Sequence, residues 1–182
     1  MFSVVRLLPI LLVFSMPVWA DQTDPVLDDL FTRLHETTSS TEASLIQRRI
    51  WSIWYESDDP QVEALMTDGL EAMQTRKFYS AISVFSKVIK IAPDFAEGWN
   101  RRATVYYLIG QYEKSLTDVD KVLALEPRHF GAWSGAGQIY NQLERKRESM
   151  NAFRKALAVN PHMPSPRIML ERLEKDLEGD PI

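Results

Sequence analysis

The sequence of 182 residues contains no cysteine and only three histidines, His35, His129 and His162. The lack of cysteine excludes disulfide bonds, an anchor on a lipidated N-terminal cysteine, thiolate catalysis and cysteine-ligated zinc. The histidines lie in separate segments without the spacing of a metal motif, so we expect solvent-facing or helix-capping roles and no metal. Phosphate loops, His-Glu-x-x-His and nucleophile elbows are also missing. These absences predict a protein that has no cofactor and is not an enzyme.

Clusters of positive charge are likewise missing. The chain carries 21 basic and 25 acidic residues, a formal net charge of -4, and no run of lysine or arginine stands out. Nucleic acid is therefore not an expected partner, because phosphate binding needs a basic surface. Hydrophobic residues make up 45% of the chain, which is enough for one folded domain with its own core.

Long hydrophobic runs occur only at the N-terminus. Arg6 is the sole charge among the first residues, an apolar run follows from 7 to 14, and Ala20 is preceded by Val18 two positions earlier. This pattern predicts a signal peptide over 1–20, cleavage after Ala20, and an exported, periplasmic protein. An uncleaved membrane anchor is the alternative, although prolines interrupt the run and it is shorter than about 20 residues. We expect no membrane span in the mature chain, because no later segment approaches roughly 18 apolar residues.

A repeat of 34 residues begins at Val62, Ala96 and Phe130. Large apolar residues share its fourth position, small residues its eighth and twentieth, and proline its thirty-second. In that order the columns are Leu65, Trp99 and Trp133; Gly69, Ala103 and Gly137; Ala81, Ser115 and Ser149; Pro93, Pro127 and Pro161. Small residues allow two helices to cross closely, and proline stops a helix at the same phase in each unit. The spacing predicts stacked helical hairpins.

These columns resemble the tetratricopeptide repeat (TPR) family over about residues 62–163. The resemblance implies an all-α, right-handed superhelix of three helix-turn-helix repeats, at 62–95, 96–129 and 130–163. It departs from the family pattern at Ala72, where an aromatic residue is usual, and at Val88 and Val122, where alanine is usual. The family resembled is one of protein-binding modules, and small exported bacterial proteins are among its members.

Helical patterns also flank the repeats. Residues 21–59 are predicted to form two N-terminal helices, the first capped by Asp24 and the second by a box of Ser39 and Glu42. Residues 164–182 are predicted to form a C-terminal capping helix. The apolar faces comprise Leu27, Leu30, Phe31 and Leu34; Ile46, Ile50, Ile53 and Trp54; and Ile168, Leu170, Leu173 and Leu177. Trp51, Trp54 and Tyr55 either cover the first repeat as core residues or form an aromatic recognition patch.

The resemblance also implies a concave groove, lined by the second, fifth, ninth and twelfth positions of each repeat. These positions include Glu63 and Gly131, and Arg101 is adjacent to them. The predicted partner-binding residues are Met66, Leu70, Met73, Glu97, Asn100, Arg101, Thr104, Tyr107, Ser134, Gln138 and Asn141. The first three either contact apolar peptide segments or are buried under the N-terminal helices.

The polar groove residues could hydrogen-bond a peptide backbone or a terminal carboxylate. Some tetratricopeptide domains hold such a carboxylate with two asparagines and several basic residues. Asn100 and Arg101 match only part of that set and the lysines are missing, so carboxylate binding is not predicted.

Two functions follow as hypotheses. The first is a protein–protein interaction module that binds a peptide or helix of a partner in the groove, in the envelope of a Gram-negative bacterium. The second is a structural or self-associating scaffold, in which the aromatic N-terminal helices dock on a neighbouring chain and form a homo-oligomer.

Overall fold

The computed structural model describes residues 24–178, which form nine α-helices and no β-strand. The predicted signal peptide at 1–20 lies outside the described residues, as do 21–23 and 179–182. The helices are α1 (Val26–Glu36), α2 (Ser40–Tyr55), α3 (Pro60–Gln74), α4 (Phe78–Ile91), α5 (Ala96–Leu108), α6 (Tyr112–Leu125), α7 (Phe130–Gln142), α8 (Lys146–Val159) and α9 (Pro164–Glu178). The all-α prediction is confirmed.

The N-terminal helices begin at local capping groups. Asp24 Oδ1 accepts a hydrogen bond from the Val26 amide at 2.8 Å, within the first turn of α1. The Ser39 hydroxyl caps α2 by accepting from the Glu42 amide at 3.3 Å. The Glu42 carboxylate accepts from the Thr37 hydroxyl at 2.7 Å, and that hydroxyl accepts from the Ser39 amide at 3.2 Å. The predicted capping box is therefore present, except that the Glu42 carboxylate reaches the Ser39 amide through the Thr37 hydroxyl and not directly.

Helices α3–α4, α5–α6 and α7–α8 form the three repeat hairpins, each joined by a close crossing. A Cβ atom added to Gly137 would lie 2.5 Å from Phe153 Cε1, so only glycine fits there. The Ser149 hydroxyl donates to the Gly137 carbonyl at 2.7 Å, and Ser115 donates to the Ala103 carbonyl at the same distance. The prediction that the eighth and twentieth positions meet at the crossing is confirmed.

Successive hairpins are joined by a contact that recurs with the repeat. The indole nitrogen of Trp99 donates to the Pro93 carbonyl, and that of Trp133 donates to the Pro127 carbonyl, both at 2.9 Å. Each tryptophan thereby fixes its repeat to the loop that ends the previous repeat. The three hairpins stack in series, as the resemblance to the tetratricopeptide repeat family implies.

Helices α1 and α2 form a hairpin that packs away from the first repeat, so the prediction that their aromatics cover that repeat is wrong. Their apolar faces are buried as predicted, but against Phe130, Val159 and Met163, which all belong to the third repeat. The outer face of α3 carries exposed Glu63, Thr67 and Glu71 and offers no comparable apolar surface.

Two polar contacts hold the same hairpin in place. Arg128 pairs with Asp28 of α1 at 2.6 Å, and its guanidinium lies 4.8 Å from the centre of the Phe31 ring. The His162 ring nitrogen Nε2 lies 3.0 Å from the Leu34 carbonyl. Both partners come from the loops that precede α7 and α9. The hairpin therefore contacts the third repeat and the two loops that flank it.

Helix α9 covers the end of the stack that follows the third repeat. Leu173 is buried against Met150 and Phe153, and Leu170 is half-buried beside them. Ile168 is 62% exposed, so the predicted apolar face is wrong at this residue; Pro166 and Met169 face inward instead. Within residues 24–178, no helix combines the length and hydrophobicity needed to cross a membrane.

Candidate partner-binding groove

A recess of about 180 Å³ opens between α5 and α7. The small residues of α7 create it, since Gly131 and Gly135 leave that helix bare on this side. The rim is polar and comprises Asn100, Thr104, Tyr107 and Gln138, whereas the floor is apolar and comprises Ala103, Val119, Ala132 and Ile139. A Cβ atom added to Gly135 would meet nothing within 4 Å, so the space above it is open.

Two further recesses extend this one toward α9. The second shares Tyr107 and Gln138 with the first and is otherwise lined by Asn141, Gln142, Ser165 and Met169. The third shares Asn141 and Met169 with the second and ends at Arg172, Leu173 and Asp176. The shared residues make one continuous groove across α5, α7 and α9. It brings together five predicted residues: Asn100, Thr104, Tyr107, Gln138 and Asn141.

The α1–α2 hairpin closes the other end of the groove. A Cβ atom added to Gly131 would lie 2.7 Å from the Trp51 ring, so Trp51 packs directly on the bare start of α7. The ring of Trp51 also lies edge-on to His129 and Phe130, at 5.3 and 5.6 Å between ring centres. Because Gly131 lines the first recess, Trp51 packs on one of the residues that form its wall.

Glu97, a predicted groove residue, is buried in a polar cluster beneath α2. It is 1% exposed, and the Asn100 amide nitrogen donates to its two carboxylate oxygens at 3.1 and 3.0 Å. His129 Nδ1 accepts from the Ala132 amide at 3.0 Å, so the ring proton is on Nε2, which donates to Glu97 at 3.3 Å. Burial raises the pKa of Glu97, while the hydrogen bonds from His129 and Asn100 oppose that shift.

Arg101 belongs to the same cluster. Its Nε atom lies 2.8 Å from the Glu97 carboxylate, and its guanidinium lies 4.6 Å from the centre of the Tyr55 ring. Burial lowers the pKa of Arg101 to about 10, which leaves it a cation at neutral pH. Trp54 stacks on His129 at 4.2 Å and covers the cluster from the α2 side. Glu97 and Arg101 thus pair within the chain; their role in partner binding stays a prediction.

The remaining predicted residues lie apart from the groove. Met66 is buried, and Met66 and Met73 pack in the core of the first repeat with Phe85 and Val105, not under the N-terminal helices. Leu70 is half-buried on the same helix. Ser134 is buried and lines none of the three recesses. The methionines and Leu70 therefore do not form one surface with the polar residues.

Sequence reasoning missed the α9 side of the groove and the His129 contact. Gln142, Ser165 and Met169 fall outside the repeat positions that the family resemblance marks, and only the docking of α9 brings them to the groove. His129 is a helix cap, as predicted, but its pairing with Glu97 of the previous repeat has no local sequence signal. No group of His, Asp or Glu side chains in the described residues is arranged to hold a metal ion.

Comparison with known proteins agrees with the class of protein that this fold defines. The tetratricopeptide repeat family matches residues 96–129 and again 130–163, so the second and third hairpins are tetratricopeptide repeats. A TPR repeat-containing protein of Rhizobium etli is 33% identical over 94 residues, which is 52% of this chain and 46% of that protein. The chain thus spans less than half the length of this relative.

Solved structures give the same fold. The first TPR of Spaghetti (RPAP3), bound to the HSP90 peptide SRMEEVD, superposes with a TM-score of 0.64 at 19% identity, over 67% of this chain and 97% of that one. The Sgt2 TPR domain from Aspergillus fumigatus has a TM-score of 0.63 at 23% identity, over 68% and 87%. MamA has a TM-score of 0.62 at 17% identity, over 66% and 71%. At these sequence identities, the comparison establishes a shared fold and nothing more.

Proposed function

We propose that this protein is an interaction module that binds a segment of a partner protein in the groove between α5, α7 and α9. The observation that carries the proposal is the continuity of the groove: three recesses joined by shared residues, with a bare helix on one side. Similar folds bind peptides, as in the RPAP3 domain with its HSP90 peptide. The groove lining contains no linked nucleophile and base, so the proposed role is binding and not catalysis.

Gly135 provides the test. A Gly135→Trp variant would fill the first recess without disturbing the fold, because a side chain at this position points into open space. The matched control is Gly135→Ala, which also replaces glycine by a residue with a Cβ atom but leaves the recess empty. Both variants are used for crosslinking and capture from the native cell envelope, after their melting temperatures have been compared with that of the parent chain.

Partners that bind in the groove are captured by the Ala variant and lost with the Trp variant. Capture of the same partners at equal yield by both variants would show that the groove is not their site. Because the two variants differ only in the volume placed above α7, this comparison separates occupation of the groove from a change in stability.

We also propose that the protein acts in the bacterial cell envelope. The support is the pattern of residues 1–20, with one charge, an apolar run and Ala20 at its end. Fractionation of cells that express the chain with a C-terminal tag, followed by N-terminal sequencing, tests this. We expect a periplasmic product that begins at Asp21; a full-length product in the cytosolic fraction would contradict the proposal.

A further inference from the structure

The first recess has the shape and chemistry of a pocket for one apolar side chain. Its floor consists of the buried residues Ala103, Val119, Ala132 and Ile139. The Ser115 hydroxyl also reaches this floor, but it donates to the Ala103 carbonyl and so presents no unpaired donor. The recess measures about 180 Å³, whereas an apolar cavity of roughly 150 Å³ accommodates a benzene ring. A side chain between leucine and phenylalanine in size therefore fits.

The rim is suited to a peptide backbone. Gln138 and Asn141 lie about one helical turn apart on α7, and within the described residues no group pairs with either side-chain amide. An amide side chain can donate and accept at once, which is what an extended peptide requires of its surroundings. Asn100 uses its nitrogen on Glu97, so it offers its oxygen to a ligand. A helical ligand would gain less here, because its backbone groups pair with one another.

Within the described residues, no cation lines the first two recesses. The residues that line the first two recesses are all uncharged. The charged residues of the third recess, Arg172 and Asp176, have opposite signs and lie four positions apart on α9. Arg101 is adjacent to the rim but is engaged by Glu97 and Tyr55. A carboxylate in the first recess would lose its hydration without gaining a counter-ion, which is unfavourable.

We infer that the groove binds an extended, uncharged, internal segment of its partner, with one apolar side chain seated in the recess between α5 and α7. The inference rests on the proposed function and gives that site its ligand class. It sets this groove apart from a domain that holds an acidic peptide such as SRMEEVD, the HSP90 peptide in the RPAP3 structure. The apolar floor and the amide rim supply the recognition, and the lack of a cation in the lining of the first two recesses supplies the selectivity.

A displayed library of random seven-residue peptides tests this ligand class. The library is made in two formats, one with the peptide held inside a loop and one with a free C-terminus. It is selected on the full chain, with removal of sequences that also bind the Gly135→Trp variant. We expect the loop format to yield sequences with one shared apolar residue between uncharged neighbours, and the free C-terminus to give no advantage.

Binding of selected peptides, made with blocked ends, is then measured by fluorescence anisotropy. Replacing the shared apolar residue by aspartate, or using Gly135→Trp in place of the parent chain, should weaken binding by about tenfold or more, since each prevents burial of that side chain. The Gly135→Ala variant should bind as the parent does. The peptide SRMEEVD with a free carboxylate serves as the acidic probe and should bind no better than a scrambled neutral peptide.

The outcomes separate this inference from the proposed function. Selection of acidic sequences, or a requirement for a free carboxylate, with loss of binding in Gly135→Trp would overturn the ligand class and leave the groove as the site. Recovery of no sequence that depends on Gly135 would overturn both.

Discussion

At the scale of single residues, the fifteenth position of each repeat shows how a backbone requirement shapes the sequence. Arg76, Gly110 and Glu144 occupy this position in the turn between the two helices, with φ of 56°, 74° and 59°. A residue with a Cβ atom is strained there by roughly 1–2 kcal/mol relative to glycine. The turn geometry is common to the three repeats although only one of them uses glycine.

The left-handed turn predicts opposite effects for the same substitution at two glycines. We expect Gly110→Ala to destabilise the protein by about 1 kcal/mol, because alanine is strained at positive φ. Gly135→Ala lies in the middle of α7 in open space, so it should stabilise the protein by about 0.5–1 kcal/mol. Urea unfolding measures both. Changes of the same sign would mean that the turn after α5 is not left-handed in solution.

The predicted groove residues also divide at this scale. Asn100, Thr104, Tyr107, Gln138 and Asn141 could be placed from the repeat position alone, because a helix fixes which of its residues share a face. The burial of Glu97 and Arg101 could not. Their surroundings come from His129 of the next repeat and from Trp54 and Tyr55 of α2, which are distant in sequence.

At the scale of helices, the crossing within each hairpin depends on one residue that is glycine or alanine. In the first and third repeats a glycine faces a phenylalanine, Gly69 against Phe85 and Gly137 against Phe153. In the second repeat Ala103 faces Val119, where a smaller neighbour leaves room for the methyl group. The volumes on the two helices thus compensate each other. The small residue on one side of each crossing was predicted from the sequence, because it recurs every 34 residues.

The tight crossing yields a prediction about volume. Gly137→Leu should destabilise the protein by about 1–3 kcal/mol or more, because even a Cβ atom would overlap the Phe153 ring. Gln142→Leu, at an exposed position near the end of the same helix, should change stability by less than about 0.5 kcal/mol. Thermal melts of the two variants provide the comparison. Equal melting temperatures would show that α7 and α8 cross elsewhere.

At the scale of the whole molecule, the chain folds back so that its N-terminal hairpin stabilises its third repeat. The hairpin core includes Phe130, Val159 and Met163, whereas the first repeat has a separate core around Phe85 and Val105. The self-association hypothesis relied on the aromatics of this hairpin. Trp54 is 3% exposed and packs on His129 of its own chain, so it is not part of a free surface.

This arrangement predicts which part of the molecule loosens when the hairpin core is damaged. Trp54→Ala should reduce the stability of the hairpin contacts by about 3–5 kcal/mol. Hydrogen exchange should then speed up for the amides of α1, α2 and the start of α7, and remain slow for α4, whose core is separate. Tyr79→Ala on α4, where the ring is 76% exposed, is the matched aromatic control. An equal loss of protection in α4 would contradict two separate cores.

The sequence by itself determined the helices, their pairing into hairpins and the residues at each crossing, because these features depend on contacts that recur every 34 residues or lie within one helical turn. Only the tertiary structure decided where the α1–α2 hairpin docks, that Glu97 and Arg101 are buried under it, and that α9 extends the groove past Asn141. The physical reason is that an apolar helix face shows in the sequence that it must be covered, but not by which partner. That choice depends on apolar area, charge and shape presented by residues far away along the chain.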